Sequence, residues 1–126
     1  MHDTPGESSF ISADLSEAGG VEQLIAKCTD VNVLIANAGV TSAAETGSLP
    51  RSEIDGLTYL MGAGVVRLCE GVVPGMVTSG GGTVIIISSI AAFTPMRKSG
   101  PYAASKAFST SYAKSLSLEV AVHGVN

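Results

Sequence analysis

The stretch Val84-Ile85-Ile86-Ile87-Ser88-Ser89, followed by Pro101-Tyr102-Ala103-Ala104-Ser105-Lys106, decides how this chain of 126 residues is read. Four consecutive aliphatic residues ending in two serines predict a strand buried on both faces, of the kind found in parallel sheets. Pro95 and Gly100 mark a loop, and Pro101 suits the first turn of a helix. Tyr102 and Lys106 are four residues apart, so on that helix they share a face one turn apart. Ser89 precedes the tyrosine by thirteen residues and stands at the carboxyl end of the strand. That is where ligand sites open in parallel α/β sheets.

The residue types suit proton transfer to a carbonyl oxygen. A phenol ionises only near about pH 10 in water, and a neighbouring ammonium favours its ionised form. Tyr102 would then give a proton to a carbonyl oxygen, or take one in the reverse direction, while the Ser89 hydroxyl bonds the same oxygen. Taken singly, the Tyr-Lys pair is also what an exposed helix presents, and Ser88-Ser89 is also how a strand enters a turn. The order of the parts raises the catalytic reading above these.

Outward from that core the chain alternates strands and helices. Strands are expected at Ser9 to Ala13, Val31 to Ala36 and Thr83 to Ser88. Helices are expected from Ser16, as cap, to about Cys28, from Pro50 to Val77 with a bend near Gly62 and Gly64, and from Pro101 to His123 with Gly124 as stop. Val40 to Ser48 reads as a polar loop and Gly80-Gly81-Gly82 as a turn. The alternation implies an α/β fold with parallel strands and right-handed crossovers. One imitation of a dinucleotide loop, Leu57 to Val66 with Gly62 and Gly64, fails because Arg67 holds the third glycine position.

Three motifs in order, the VIIISS strand with the Tyr-x-x-x-Lys helix, Val33-Leu34-Ile35-Ala36-Asn37-Ala38-Gly39, and Phe10-Ile11-Ser12-Ala13-Asp14-Leu15, resemble the short-chain dehydrogenase/reductase family. The resemblance implies a partial Rossmann-type, doubly wound parallel sheet of three strands and three helices in a single truncated domain. It implies NAD or NADP as coenzyme, hydride exchange with a ketone or secondary alcohol, and a catalytic set of Ser89, Tyr102 and Lys106. Asn37, Ala38 and Gly39 would pass the adenosine ribose, Asp14 and Leu15 would flank the adenine, and Tyr102 and Lys106 would meet the nicotinamide end. For Asp14, a carboxylate at the start of a helix is an equal reading.

Two departures qualify the resemblance. The family's Gly-x-x-x-Gly-x-Gly turn is not found ahead of Asp14, and the strands beyond the Tyr-Lys helix are not in the sequence either. The expectation is therefore a central fragment, from a truncated product or partial gene, inactive by itself. The alternative is a non-catalytic fragment or pseudoenzyme that associates through its helices. In the family, helices matching 50–77 and 101–123 join subunits, so a homo-oligomer is expected of the full-length form. The second departure is Met61, which stands where the family carries an asparagine holding a relay water. A thioether cannot donate a hydrogen bond, and the simpler reading of Met61 is a core filler.

Composition narrows the class. Hydrophobic residues make up 45% and charged residues 14%, and mean hydropathy is +0.38. A net charge of −4 without a basic cluster speaks against nucleic acid. The first seven residues lack the pattern of a signal peptide, and no run reaches about 18 apolar residues, so no membrane partner and a cytoplasmic location are expected. Cys28 and Cys69 read as reduced, buried thiols, and no metal site is expected. Ile90, Ala91, Phe93 and Met96 suggest an apolar wall for a small carbonyl or alcohol substrate.

Overall fold

The computed structural model describes residues 8–41 and 43–126; Ser42, within the loop expected from Val40 to Ser48, lies outside the described residues. In chain order the elements are α1 (Ala18–Ile25), β1 (Val33–Ala36), α2 (Arg51–Thr78), β2 (Thr83–Ile86) and α3 (Gly100–Val120). Short 3-10 turns cover Ile90–Ala92 and Ala121–His123.

β1 and β2 pair in parallel, Val33 opposite Thr83 and Ala36 opposite Ile86. The pairing runs slightly past both strands, with Thr83 N–H on Asn32 O at 2.9 Å and Ile87 N–H on Ala36 O at 3.0 Å. Side chains alternate across the sheet. Leu34, Ala36, Val84 and Ile86 face the packed core. Val33, Ile35, Ile85 and Ile87 point to the other face, 40–58% exposed.

The expected third strand, Ser9 to Ala13, is not formed, so the sheet has two strands rather than three. In the resembled fold two further strands stand between that segment and β1, and a backbone without a neighbour has nothing to complete its ladder. Nor does it slide beside β1; its recorded tertiary bond is from the Gln23 amide to Ser12 O at 3.2 Å. A third position opens instead on the far side of β2. Val125 bridges Gly82 in parallel, Asn126 N–H meets Gly82 O at 3.0 Å, and Val84 N–H meets Asn126 O at 2.7 Å.

α2 is the centre of the core. Leu57, Met61, Val65, Leu68, Cys69, Val72, Val73 and Met76 along it are buried, a stripe with helical spacing. By length and composition this 28-residue helix is long and apolar enough to cross a membrane, although half of its most apolar 18 residues is packed inside the molecule. Instead of a simple bend near Gly62, the helix widens to π geometry over Tyr59–Ala63, the usual form of a one-turn bulge in an α-helix. The strand-turn imitation at Leu57 to Val66 is thus helix throughout. Gly80 (φ +85°) ends α2: its N–H reaches Val77 O at 3.1 Å, and Gly81 N–H reaches Met76 O at 3.0 Å, the pairing of a Schellman stop. Gly124 (φ +75°) performs the expected stop after α3.

Helix starts differ from expectation in detail. Glu17, not Ser16, holds the cap position of α1, without a side-chain bond, and Ser16 donates its N–H and hydroxyl to Asp14 at 2.9 and 2.6 Å. α1 ends at Ile25, before Cys28, and is tied to α2 by Glu22 and Arg67 at 2.8 Å.

Candidate active site

α3 begins at the loop end, where Pro101 costs no helical hydrogen bond because first-turn amides have no partner within the helix. Tyr102, Lys106 and Thr110 follow at intervals of four and form one stripe. Tyr102 is half-buried. Lys106 is only 6% exposed, and its ammonium donates to Ile87 O at 2.7 Å. Burying a charge is costly unless it is hydrogen-bonded, and here the acceptor is the carbonyl one residue beyond the end of β2. An ammonium has three donors, and among the described residues Ile87 O is the one acceptor recorded for it.

Ser89 lies two residues past Ile87 with extended backbone, and its Oγ accepts from Ala91 N–H at 3.2 Å, capping the Ile90–Ala92 turn. A hydroxyl accepting a bond retains its own proton to give, which is what polarising a carbonyl requires. The loop beyond is pinned to α3 by Lys114, whose ammonium stands 5.5 Å from the Phe93 ring centroid. Of the four expected pocket residues, Ile90, Phe93 and Met96 are exposed, whereas Ala91 is buried at 5%.

Of the residues expected at the coenzyme, Asn37, Ala38 and Gly39 follow the end of β1. Leu15, Asn37 and Ala38 border one apolar cavity of about 200 Å³, together with Leu34, Leu60 and Val65. Asn37, Ala38 and Gly39 are exposed. A Cβ on Gly39 would lie 3.4 Å from Met61 Sδ, so the small residue and the methionine fit each other. Met61 is 1% exposed, as a core filler should be. Asp14 is exposed, and the bonds from Ser16 hold its carboxyl below the usual aspartate range. These bonds lie ahead of α1, whose cap position is Glu17.

A family profile described as short chain dehydrogenase matches residues 2–126. The chain belongs to the short-chain dehydrogenase family. It is 38% identical over 98 residues to the dehydrogenase/reductase SDR family member 4 of Bos taurus, covering 75% of this chain and 34% of that protein. With a 3-oxoacyl-(acyl-carrier-protein) reductase of Chlamydia pneumoniae it shares 31% over 127 residues, 95% of this chain and 50% of the relative. Among solved structures, the bulky-bulky ketone specific alcohol dehydrogenase from Comamonas testosteroni superposes with a TM-score of 0.85 at 26% identity, over 91% of this chain and 49% of that one. A metagenomic short-chain oxidoreductase in complex with NADP gives 0.85 at 26%, over 96% and 56%. The chain thus spans a third to a half of the curated relatives and about half of the solved ones.

For a short-chain dehydrogenase, the sequence reading missed what fastens the site together. Ser88 Oγ lies 2.5 Å from Thr110 Oγ1, and Thr110 Oγ1 donates to Lys106 O at 2.6 Å. The signal available was Thr110's place on the stripe of Tyr102 and Lys106.

Proposed function

We propose that this chain carries the reaction centre of an NAD(P)-dependent oxidoreductase that interconverts ketones and secondary alcohols, with Tyr102 as general acid/base, Ser89 as the hydroxyl that polarises the carbonyl and Lys106 as the cation serving both Tyr102 and the coenzyme ribose. The observation that carries this reading is the buried Lys106 ammonium, anchored on Ile87 O one helical turn from Tyr102 and beside the strand end that leads to Ser89.

The residues present fit the coenzyme on two counts. Lys106 has N–H bonds to spare for ribose hydroxyls, and Asn37-Ala38-Gly39 offers exposed, small-residue backbone at the end of β1. Asp14 and Leu15 stand at the adenine side. The coenzyme, when bound, supplies or accepts hydride. In the reductive direction Tyr102 gives its phenolic proton to the substrate oxygen, Ser89 donates a hydrogen bond to that oxygen, and Lys106 stabilises the phenolate that results. The exposed apolar side chains of Ile90, Phe93 and Met96 favour a small, apolar substrate.

The test is coenzyme oxidation with a graded panel of apolar ketones, using this chain completed by flanking segments of a relative. Turnover with NADH or NADPH is expected. Coenzyme binding without turnover of any ketone or reverse turnover of any secondary alcohol would overturn the reading.

A second reading, association through helices, is favoured by one observation. A groove of about 440 Å³ lies between α2 and α3, bordered by Thr58, Tyr59, Gly62, Ala104 and Phe108, with Phe108 54% exposed. This supports a homo-oligomer built on both helices. Phe108→Glu should then shift sedimentation to the monomer.

A further inference from the structure

The strand end bearing Ser89 is fastened to α3 twice, by adjacent residues on one side and by residues one helical turn apart on the other. The first tie is Lys106 Nζ to Ile87 O at 2.7 Å; the second is Ser88 Oγ to Thr110 Oγ1 at 2.5 Å. Thr110 has a single hydroxyl proton, and it is directed at Lys106 O at 2.6 Å. The proton between the two hydroxyls is therefore Ser88's. The bonds run in series from Ser88 to Thr110 to the backbone of Lys106. Ser109, 1% exposed, directs its hydroxyl to the same carbonyl at 3.2 Å.

The two ties are not equivalent. The Lys106 tie uses the ammonium that the reaction proposed above also requires, so its strength changes whenever a ligand competes for those N–H bonds. The hydroxyl tie involves no charge and no reacting atom. We infer that Thr110, held by Ser88, is a positioning residue: it keeps the Lys106 turn of α3 at a fixed depth against the end of β2, so that the ammonium remains on Ile87 O. This role rests on the function proposed above, but its geometry is testable without turnover.

The test is trace acetylation of the 126-residue chain with acetic anhydride, reading Lys106 against the exposed Lys27 by peptide mass spectrometry. Buried Lys106 reacts slowly. Thr110→Val should raise the Lys106-to-Lys27 ratio about tenfold, the scale on which one hydrogen bond shifts a closed-to-open equilibrium. Thr110→Ser, which keeps the hydroxyl, should stay near wild type. An unchanged ratio in Thr110→Val, or a ratio as high in Thr110→Ser, would overturn the inference. A purely stabilising role would lower the melting temperature without moving the ratio. Should Thr110→Val fail to fold, Ser88→Ala decides, because it removes the inter-element bond and leaves Thr110 on Lys106 O; a raised ratio supports the tie and an unchanged one refutes it. Because the ratio ignores turnover, absence of reductase activity counts against the proposed function alone.

Discussion

The two ends of the proposed site are built differently. At the reaction end, Ser89, Lys106, Ser88 and Thr110 each have a hydrogen-bond partner, and the partners belong to the segment just after β2, the turn that follows and α3. At the coenzyme end, Asp14 is bonded only within its own turn, Asn37-Ala38-Gly39 is exposed, and the apolar cavity beside them opens next to a sheet face that leaves Ile35 58% exposed. The contrast teaches that the proposed reaction end is oriented by hydrogen bonds between separate elements, whereas the proposed coenzyme end is formed by exposed backbone and local bonds.

The largest effect expected is at the tied end. Lys106→Ala, in the chain completed with flanking segments, should lower turnover by roughly a thousandfold, about 4 kcal/mol of barrier, and should weaken coenzyme binding as well. Turnover kinetics and coenzyme titration check the two parts. An unaltered coenzyme affinity would separate Lys106 from the ribose.

The covered and bare faces of the fold should respond unequally to mutation. Met76→Ala, in the core at 1% exposure, should cost about 2 to 5 kcal/mol in urea unfolding. High pH should also act on this layer. Burial, with the charge of Glu70 adding to it, pushes the Cys69 thiol up to about 11 from 9.0. A raised thiol pKa contributes stability that is complete below the unfolded value and is lost as pH rises through the folded one. Stability should therefore fall between about pH 9 and pH 11, with Cys69 responsible for about 2 to 3 kcal/mol. Tyr112, raised by burial and by its 2.7 Å bond to Glu70, adds in the same direction. Cys69→Ala should flatten the decline without abolishing it; an unchanged pH dependence would contradict the assignment. The smallest effect belongs to the bare face, where Ile35→Thr should change stability by no more than about 0.5 kcal/mol. A loss like that of Met76→Ala would mean the face is covered in solution.

Much of this was legible in the sequence because it is locally encoded. The aliphatic run Val84 to Ile87, the turn glycines, the Gly124 stop and the Tyr-Lys spacing each carry their own physical reason. Ser9 to Ala13 shows the limit: its residue types favour a strand, but a strand exists only where another lies beside it, and residue type says nothing of the neighbour. Ser16 was misread for a similar reason, since a serine that can cap a helix can also bond the preceding aspartate, and Asp14 won. The Ser88–Thr110 tie spans 22 residues of sequence between two hydroxyls, and no periodicity announces such a pair.

The central claim, that Tyr102 is the acid/base and that its phenolic proton serves the reaction rather than coenzyme binding, is tested most directly by Tyr102→Phe in the completed chain. Turnover and coenzyme affinity are measured on the same preparation. Removing only the phenolic oxygen should lower turnover by roughly a thousandfold, about 4 kcal/mol, while NADH and NADPH affinities stay within about twofold of wild type. Retained turnover, or a coenzyme affinity that falls as far as in Lys106→Ala, would contradict it.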